Sequence, residues 1–246
     1  MLYRINKIIN KFQSIIIQSP RMKYFYKKFV KEGDLVFDIG ANIGNRTIIF
    51  RKLGCFVIAV EPQNNCVKKL NKIFKNDSKV IIVQKGCDKI IAHKTISICS
   101  DSPTISSMSD EFIKKGRFSN QYEWDTNQEV DVITLDKLIE EFGQPTFCKI
   151  DVEGYEKEVI QGLTIPIKTI SFEFSNEFLE HAEFIINYLN EIGDYTFNVS
   201  FGESMTLALD NFAAKESFLK NLNNLSSNYS WGDIYATLID SKCSDI

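Results

Sequence analysis

The sequence of 246 residues predicts an α/β fold, with a mostly parallel central sheet, helices on both of its faces and an antiparallel strand near its C-terminal end. Short apolar runs rich in β-branched residues alternate with segments whose apolar residues recur at helical spacing, which is the pattern of βαβ units. A composition of 44% hydrophobic and 25% charged residues is typical of a globular protein with a sizeable core. We therefore expect one α/β domain over residues 34–246, preceded by a helical extension over residues 1–33.

Five apolar runs predict the parallel part of the sheet: Leu35–Ile39, Phe56–Val60, Val80–Val83, Phe147–Val152 and Thr169–Phe174. Helical spacing predicts helices at Gly44–Leu53, Gln63–Phe74, Leu135–Glu141, Tyr155–Gly162 and Glu177–Asn190. Thr134 is well placed to cap the third of these helices. Two further runs, Tyr195–Ser200 and Asp233–Ile239, predict a final pair of strands, and we expect the Asn-rich stretch Lys220–Ser230 between them to be a connection.

Residues 100–129 interrupt this alternation with a polar stretch rich in Ser, Asp, Asn and Gly. A loop of this length in a compact domain is usually functional or disordered, so we predict a lid or substrate loop. Within it, Ser109–Lys115 suggests a short helix. Its scattered aromatic side chains either stack on a ring of the substrate or pack within the loop: Phe112, Phe118, Tyr122 and Trp124.

The apolar residues of the N-terminal extension, among them Ile5, Ile9, Phe12 and Ile16, recur at the spacing of an amphipathic helix. We expect this helix to pack on the domain, and weak attachment to a membrane surface is the alternative. Basic residues interrupt the apolar run and no small-residue cleavage site follows, so a secretory signal peptide is not indicated.

The net charge of −3 gives no global sign of a nucleic-acid partner, and none is expected, although a local basic patch is left open. The six cysteines form no C-x-x-C pair, and most lie within or beside apolar segments. We interpret them as buried, reduced thiols, which favours a cytoplasmic location.

A glycine turn, Asp38–Gly44, follows the first predicted strand. Gly40 and Gly44 allow a tight turn and a close approach of the backbone to a ligand, and the next helix begins with free N–H groups. Such a turn also occurs in dinucleotide sites. The spacing here is G-x-x-x-G rather than G-x-G-x-x-G, and an acid stands on the strand just before it, which argues against NAD.

Glu61 ends the second predicted strand, about 23 residues after Asp38. A carboxylate at this place can accept hydrogen bonds from both ribose hydroxyls of an adenosine. Pro62 stops the strand and can open the next helix. Paired with the glycine turn, Glu61 indicates that the ligand is an adenosine derivative.

A third charged segment lies at Lys149–Glu156, with the pattern K-I-D-V-E-G-x-E. Lys149, Asp151 and Glu153 alternate with apolar residues, so they share one face of a strand as it leaves the sheet. Three charges that converge at one sheet edge are costly to bury without a partner or a purpose. The alternative interpretation is a solvated strand end with a Lys–Asp ion pair.

These segments together resemble the FkbM family of methyltransferases, on the residues Val36–Gly44, Val60–Pro62, Ile133–Asp136 and Lys149–Glu156. The similarity covers about residues 34–175, and the K-I-D-V-E-G-x-E block is specific to that group. The resemblance implies a Rossmann-like class I methyltransferase fold and S-adenosylmethionine as the methyl donor. It also implies O-methylation of a hydroxyl on a sugar, a glycan or another small metabolite.

By motif position, the resemblance implies cofactor contacts from the turn, which is expected to line the methionine end: Asp38, Gly40, Ala41, Asn42 and Gly44. Glu61 would hold the ribose, and Asp88, after the third strand, would lie near the adenine. Asp151 and Glu153 would face the transferring methyl group or the acceptor, and they are the predicted catalytic residues.

A hydroxyl acceptor needs a base to take its proton. The candidates are Asp151, Glu153, His93 and His181, and we favour the two carboxylates because they lie at the predicted active edge. Asp151, Glu153 and Glu173 could also supply oxygen ligands to Mg²⁺, but they form no diagnostic metal motif and no metal is predicted.

Two other functions compete with methyl transfer. A non-catalytic protein of the same fold could serve as a binding or scaffold module, although the intact glycine turn, Glu61 and the Lys149–Glu156 block argue against it. A nicotinamide-dependent oxidoreductase is disfavoured by the missing G-x-G-x-x-G.

Overall fold

A computed structural model describes residues 20–226 and 229–239 of the chain. The strands in chain order are β1 (Leu35–Ile39), β2 (Phe56–Val60), β3 (Val80–Val83), β4 (Gly86–Cys87), β5 (Ala92–Ile98), β6 (Thr126–Ile133), β7 (Phe147–Ile150), β8 (Thr169–Ser175), β9 (Tyr195–Phe201), β10 (Ala213–Ala214) and β11 (Trp231–Leu238). The α-helices are α1 (Asn45–Lys52), α2 (Asn64–Ile73), α3 (Asp110–Lys115), α4 (Leu135–Phe142), α5 (Glu156–Ile160), α6 (Leu179–Ile192) and α7 (Lys215–Ser226), and residues 20–26 are also helical. Short 3₁₀ turns lie at Pro103–Ile105 and Asn176–Phe178.

Eight strands form the large sheet, in the order β10-β9-β11-β8-β7-β1-β2-β3. The pairs from β8 to β3 are parallel, whereas β11 runs antiparallel between β8 and β9. The inner strands β1 and β7 are apolar apart from Asp38 and Lys149, because both of their faces are covered. This arrangement confirms the predicted Rossmann-like class I methyltransferase fold with its antiparallel C-terminal strand.

Helices cover both faces of the large sheet. Because successive side chains of a strand point to opposite faces, neighbouring residues of β1 belong to different core clusters. Phe37 of β1 belongs to the core cluster that includes residues of α4, α5, α6 and α7. Its neighbour Val36 belongs to a second cluster on the other face, together with residues of α1 and of the helical segment 20–26. The central layer of the fold is thus buried from both sides.

The described part of the N-terminal extension belongs to this second cluster. Phe25 and Tyr26 are fully buried, and the Tyr26 ring lies edge-on to the rings of Phe50 and Phe147. The predicted amphipathic helix that contains Ile5–Ile16 lies outside the described residues, and so does the alternative of membrane attachment through it.

The predicted lid is shorter than expected at its C-terminal side. Residues Thr126–Ile133 form β6, which pairs antiparallel with β5 and parallel with β4 in a small second sheet. The sequence pattern does not predict this sheet, because much of β5 and β6 is exposed and polar. Residues 99–125 remain as the lid, and it contains the predicted short helix, α3, capped by the Ser109 hydroxyl that accepts from the N–H of Phe112 at 3.1 Å.

One predicted connection is wrong, because Lys215–Ser226 forms the helix α7 where we expected a loop from Lys220. Its Asn residues weaken helix propensity, but Phe218 and Leu222 are buried against the sheet and offset that cost. The prediction of a Thr134 cap is confirmed, since its hydroxyl accepts from the N–H of Lys137 at 3.1 Å. Within the described ranges, no helix is both long enough and apolar enough to cross a bilayer.

Candidate active site

A cavity of about 360 Å³ opens at the C-terminal ends of β1, β2 and β7. This is the edge at which parallel α/β sheets bind ligands. Its walls carry five acidic side chains, Glu61, Asp151, Glu153, Glu173 and Glu203, and three basic ones, Arg46, Lys85 and Arg117. The lid closes one side through residues 104–108, Arg117 and Phe118.

The glycine turn forms the floor of the cavity through Gly40, Ala41 and Asn42. Gly40 has φ +80°, and a Cβ atom at this position would lie 1.9 Å from the carbonyl oxygen of Asp151. The turn and the loop after β7 therefore touch through their backbones. Asn42 also has a positive φ, +49°, which asparagine tolerates better than most residues.

Glu61 lies buried at the end of β2 and lines the same cavity. Its carboxylate accepts the N–H of Asn42 at 2.8 Å and the N–H of Gln63 at 2.8 Å. Burial raises its pKa to about 7, although these two N–H donors act in the opposite direction. Each carboxylate oxygen keeps a second lone pair, so Glu61 can still accept from a diol.

Asp38 and Gly44 lie behind the turn rather than on the cavity wall. The Asp38 carboxylate is buried and accepts the hydroxyl of Thr47 at 2.5 Å, which ties the end of β1 to α1. Burial raises the pKa of Asp38 to about 6. Gly44 has φ +87° and faces Leu70 of α2. Both residues shape the turn, and their predicted direct contact with the cofactor stays a prediction.

Asp88 also lies outside the cavity. It is fully buried, forms an ion pair with Lys94 and accepts the Tyr155 hydroxyl at 3.2 Å. These partners attach the small sheet to the loop before α5, so a packing role accounts for the buried carboxylate. Asp88 is not among the residues that line the cavity, and its contact with the adenine stays a prediction.

Asp151, Glu153 and Glu173 come together on the cavity wall next to the turn, with one carboxylate oxygen of each lying within 4.8 Å of the others. β7 ends at Ile150 rather than at the predicted Val152, so Asp151 and Glu153 follow the strand, and Glu173 lies on β8. Arg117 of the lid donates to Glu173 through Nη2 at 2.8 Å. Oxygen ligands for a divalent cation are thus present, but the guanidinium already occupies one side of the cluster.

Lys149 is the buried counter-charge behind this cluster. Its ammonium is fully buried, 3.2 Å from Asp151 and 2.9 Å from Asp233 of β11. Burial raises the pKa of the Asp151 carboxyl, but the Lys149 ammonium and the Arg46 and Arg117 guanidinium groups together lower it more, and the net pKa is below the ordinary value. Asp151 is therefore a permanently charged group of the site.

Glu153 is in the opposite situation. Burial raises its pKa well above the ordinary value, and the neighbouring carboxylates of Glu173 and Asp151 raise it further. The same causes raise the pKa of Glu173 to about 8. Glu153 sits at φ +54° before Gly154, and its Oε2 is buried with no hydrogen-bond partner within the described chain.

The lid is hydrogen-bonded to the site at several points. The hydroxyl of Ser107 donates to the carbonyl oxygen of Glu153 at 2.7 Å, and the Gln63 amide donates to the carbonyl oxygen of Pro103 at 3.1 Å. Of the four lid aromatics, Phe118 lines the cavity, whereas Phe112 packs on Gly154. The rings of Phe118 and Trp124 also lie edge-on to Phe112, and Tyr122 lies edge-on to Phe118, so these aromatic side chains pack mainly on one another.

The other candidate bases lie elsewhere. His93 is exposed on β5 and paired with Asp131, and His181 lies 3.6 Å from Glu111 beside the lid helix. Neither lines the large cavity. The sequence analysis missed Arg117, because nothing local marks an arginine in a polar loop as part of a site formed by distant strands.

A family model described as the methyltransferase FkbM domain matches residues 38–197. The hexuronic acid methyltransferase AglP of Haloferax volcanii is 25% identical over 144 residues, which are 58% of this chain and 55% of that protein. The aligned segment thus spans about half the length of that curated relative.

Solved structures of similar overall form include precorrin-6Y C5,15-methyltransferase from Geobacter metallireducens, with 11% identity and a TM-score of 0.46 over 92% of this chain and 88% of that one. A TehB-like SAM-dependent methyltransferase from Corynebacterium glutamicum has 6% identity and a TM-score of 0.45 over 97% and 100% of the chains. A Streptococcus mutans protein in complex with SAH has 10% identity and a TM-score of 0.44 over 88% and 95%. At these scores the likeness adds nothing to the fold that the strand order gives. The match to the family model, however, covers well over half of the chain and includes both the glycine turn and the Lys149–Glu156 block, so the chain belongs to the FkbM family of S-adenosylmethionine-dependent methyltransferases.

Proposed function

We propose that this protein transfers a methyl group from S-adenosylmethionine to a hydroxyl oxygen of a sugar, free or within a glycan. The observation that carries the proposal is that the glycine turn with Glu61 and the carboxylate cluster open into one cavity. A donor held by the glycine turn and Glu61 and an acceptor held by the carboxylate cluster would meet inside this cavity. The name of the curated relative, a hexuronic acid methyltransferase, supports a sugar as the acceptor class.

The residues present fit the cofactor. The backbone of the turn lines the cavity through Gly40, Ala41 and Asn42, where it can contact a ligand directly. Glu61 is a buried carboxylate whose two oxygens keep capacity for a ribose diol. An excess of acidic over basic side chains on the walls also suits a ligand that carries a sulfonium cation.

When bound, S-adenosylmethionine supplies a methyl group made electrophilic by a positively charged sulfur. The protein has to orient the acceptor oxygen, take its proton and exclude water. We assign the proton to Glu153, because it lines the cavity, its Oε2 has no hydrogen-bond partner among the described residues, and a raised pKa makes its ionised form a stronger base. As the acceptor oxygen forms its bond to the methyl carbon, the methyl–sulfur bond would break with its electron pair left on the sulfur, and the hydroxyl proton would pass to Oε2 of the ionised Glu153.

Asp151 has a different part in this proposal. The Lys149 ammonium lowers its pKa, so it is a weak base and remains an anion throughout. A fixed negative charge on the cavity wall stabilises a cationic donor and orients it toward the acceptor. The lid keeps water out of the cavity. It is hydrogen-bonded to Gln63 through Pro103 and to Glu153 through Ser107.

The acid excess of the walls favours an uncharged acceptor over a polyanion such as nucleic acid. We also propose a cytoplasmic location, supported by five buried cysteines with free thiols. A reducing compartment suits such thiols, and Cys243 lies outside the described residues.

Calorimetry with S-adenosylhomocysteine tests the donor half, and transfer of labelled methyl groups to a sugar panel tests the acceptor half. Glu153→Gln is expected to leave S-adenosylhomocysteine affinity within about twofold and to lower kcat by about 10²–10⁴-fold. Wild-type kcat should rise with pH, and the variant's residual rate should not. Full turnover by Glu153→Gln would remove the base assignment, and no heat with S-adenosylhomocysteine would remove the proposed function.

A further inference from the structure

Arg46 and Arg117 are the arginines of the described cavity wall, and each has a buried N–H group without a hydrogen-bond partner. Arg117 is the one of the two that pairs with the carboxylate cluster. It pairs with Glu173 through Nη2, yet its Nε and Nη1 are buried and have no hydrogen-bond partner among the described residues. Buried N–H groups of a guanidinium are costly to leave unpaired. Such donors at the wall of a cavity mark the place where a ligand oxygen binds.

The guanidinium is held rigidly in this position. Its carbon lies 5.0 Å from the ring centre of Phe118 on the lid and 5.3 Å from that of Trp231 on β11. Its own backbone N–H donates to Glu177 at 2.8 Å. Because two rings, a carboxylate and a backbone anchor fix the group, little side-chain entropy is lost when a ligand binds to it.

An unused acceptor lies in the same part of the wall. Oε2 of Glu153 is also buried without a partner, and Glu153 and Glu173 each place a carboxylate oxygen within 4.8 Å of the other. The cavity thus offers unpaired donors from Arg117 beside an unpaired acceptor from Glu153. A single hydroxyl could donate to Glu153 and accept from Arg117, but a cationic donor on the reacting oxygen would make that oxygen a poorer nucleophile. A neighbouring hydroxyl can accept from the guanidinium without this cost.

We infer that Arg117 binds a second hydroxyl of the acceptor, adjacent to the one that is methylated, and thereby restricts the enzyme to neutral sugars with a vicinal diol. One hydroxyl donates its proton to Glu153, and its neighbour accepts a hydrogen bond from the guanidinium. This inference rests on the proposed function and names the substrate class of that same site.

A carboxylate of the substrate is the other ligand that an arginine could bind. It would lie within the carboxyl cluster, where the Asp151 anion would repel it and where Arg117 already has Glu173 as a partner. It would also raise the pKa of Glu153 further and keep that base protonated. A neutral hydroxyl has neither cost, and for this reason we assign the diol and treat a uronate as an outcome of the test.

The experiment measures binding by calorimetry to protein saturated with S-adenosylhomocysteine, so it does not depend on turnover. The probes are the methyl glycosides of glucose, galactose and mannose, their singly deoxygenated analogues at positions 2, 3 and 4, and methyl glucuronide. The variants are Arg117→Gln, Arg117→Lys and the control Lys114→Gln, which removes an exposed cation from the same lid. S-adenosylhomocysteine affinity and thermal unfolding are recorded for each variant.

Wild type and Lys114→Gln are expected to bind one glycoside about 10- to 100-fold more tightly than its deoxy analogue at one position, because a hydrogen bond to a charged group is lost. In Arg117→Gln that preference should fall below about threefold, and Arg117→Lys, which lacks the planar fork, should keep little of it. S-adenosylhomocysteine affinity should not change.

Discrimination that persists in both Arg117 variants overturns the inference, and so does tighter binding of methyl glucuronide than of every neutral glycoside by wild type. Failure of all neutral glycosides to bind overturns it as well. If Arg117→Gln does not fold, Arg117→Lys alone decides. Failure of the proposed function has a distinct signature: S-adenosylhomocysteine gives no heat, or a bound diol accepts no labelled methyl group.

Discussion

Gly40→Ala tests whether the contact between the two walls of the cavity is set by the missing side chain. Gly40 has φ +80°, and an added Cβ would lie 1.9 Å from the carbonyl oxygen of Asp151 and 2.8 Å from its carbonyl carbon. Both atoms belong to the backbone, so no flexible side chain can move away. The turn or the loop after β7 would have to shift.

The chain offers a matched control that separates the two costs of this change. Gly33 has φ +87°, and a Cβ there would meet nothing within 4 Å. Gly33→Ala should therefore lower the free energy of unfolding only by the cost of a left-handed alanine, about 1–2 kcal/mol. Gly40→Ala adds an overpacking cost of about 1–3 kcal/mol. We expect a total near 2–5 kcal/mol, and Tm lower by roughly 5–15 °C.

Urea unfolding measures both variants, and calorimetry with S-adenosylhomocysteine measures the site. Gly40→Ala should lose cofactor binding because the shifted turn displaces Asn42 and its N–H bond to Glu61, whereas Gly33→Ala should bind normally. Equal destabilisation by the two substitutions would refute the steric reasoning. Normal cofactor affinity in Gly40→Ala would show that the turn does not position the ligand.

Three further predictions follow from buried charges. Thr47→Val should lower the free energy of unfolding by about 1–3 kcal/mol, because it leaves the buried Asp38 carboxylate without its donor, and Thr47→Ser should restore most of it; a neutral Thr47→Val would contradict this. Lys149→Met should cost about 3–5 kcal/mol at neutral pH, since Asp151 and Asp233 lose their cation, and the deficit should shrink in acid as they take up protons; a constant deficit would speak against uncompensated charge. The raised pKa values of Glu61, about 7, and Glu173, about 8, mean that the native state holds protons which the unfolded chain has released above its ordinary glutamate pKa of 4.5. The free energy of unfolding should therefore fall as the pH rises from about 4.5 to 8, more steeply in wild type than in Glu173→Gln, and urea titrations across this range that show the opposite slope would exclude it.

The sequence predicts the large sheet well and the small one poorly, for one physical reason. Strands such as β1 and β7 are buried on both faces, so their apolar composition is visible without knowing the fold. Strands β5 and β6 pair with each other at the surface, and their exposed polar residues give a sequence pattern that is also typical of a loop. In the same way, α7 is helical because Phe218 and Leu222 find a sheet to cover, which its Asn-rich sequence does not reveal.

The candidate site likewise contains residues that the local sequence pattern predicts and residues that only tertiary contacts place there. Glu61, Asp151 and Glu153 follow directly from strand ends, and the structure brings them to one cavity. Arg117 arrives there through a lid that folds back over β8, and no local pattern encodes that contact. The Asp38 carboxylate accepts the hydroxyl of Thr47, a partner that only the geometry of the turn selects, and its contact with the cofactor stays a prediction.

The antiparallel strand β11 has a consequence for synthesis on the ribosome. It inserts between β8 and β9, where it delivers Asp233 to Lys149 and Trp231 to Arg117. A nascent chain that has emerged only as far as β9 holds the glycine turn and the carboxylates, yet its lysine lacks one counter-ion and its arginine lacks one ring. Under the proposed function, the groups assigned to the acceptor would thus be completed late in translation, after those assigned to the donor.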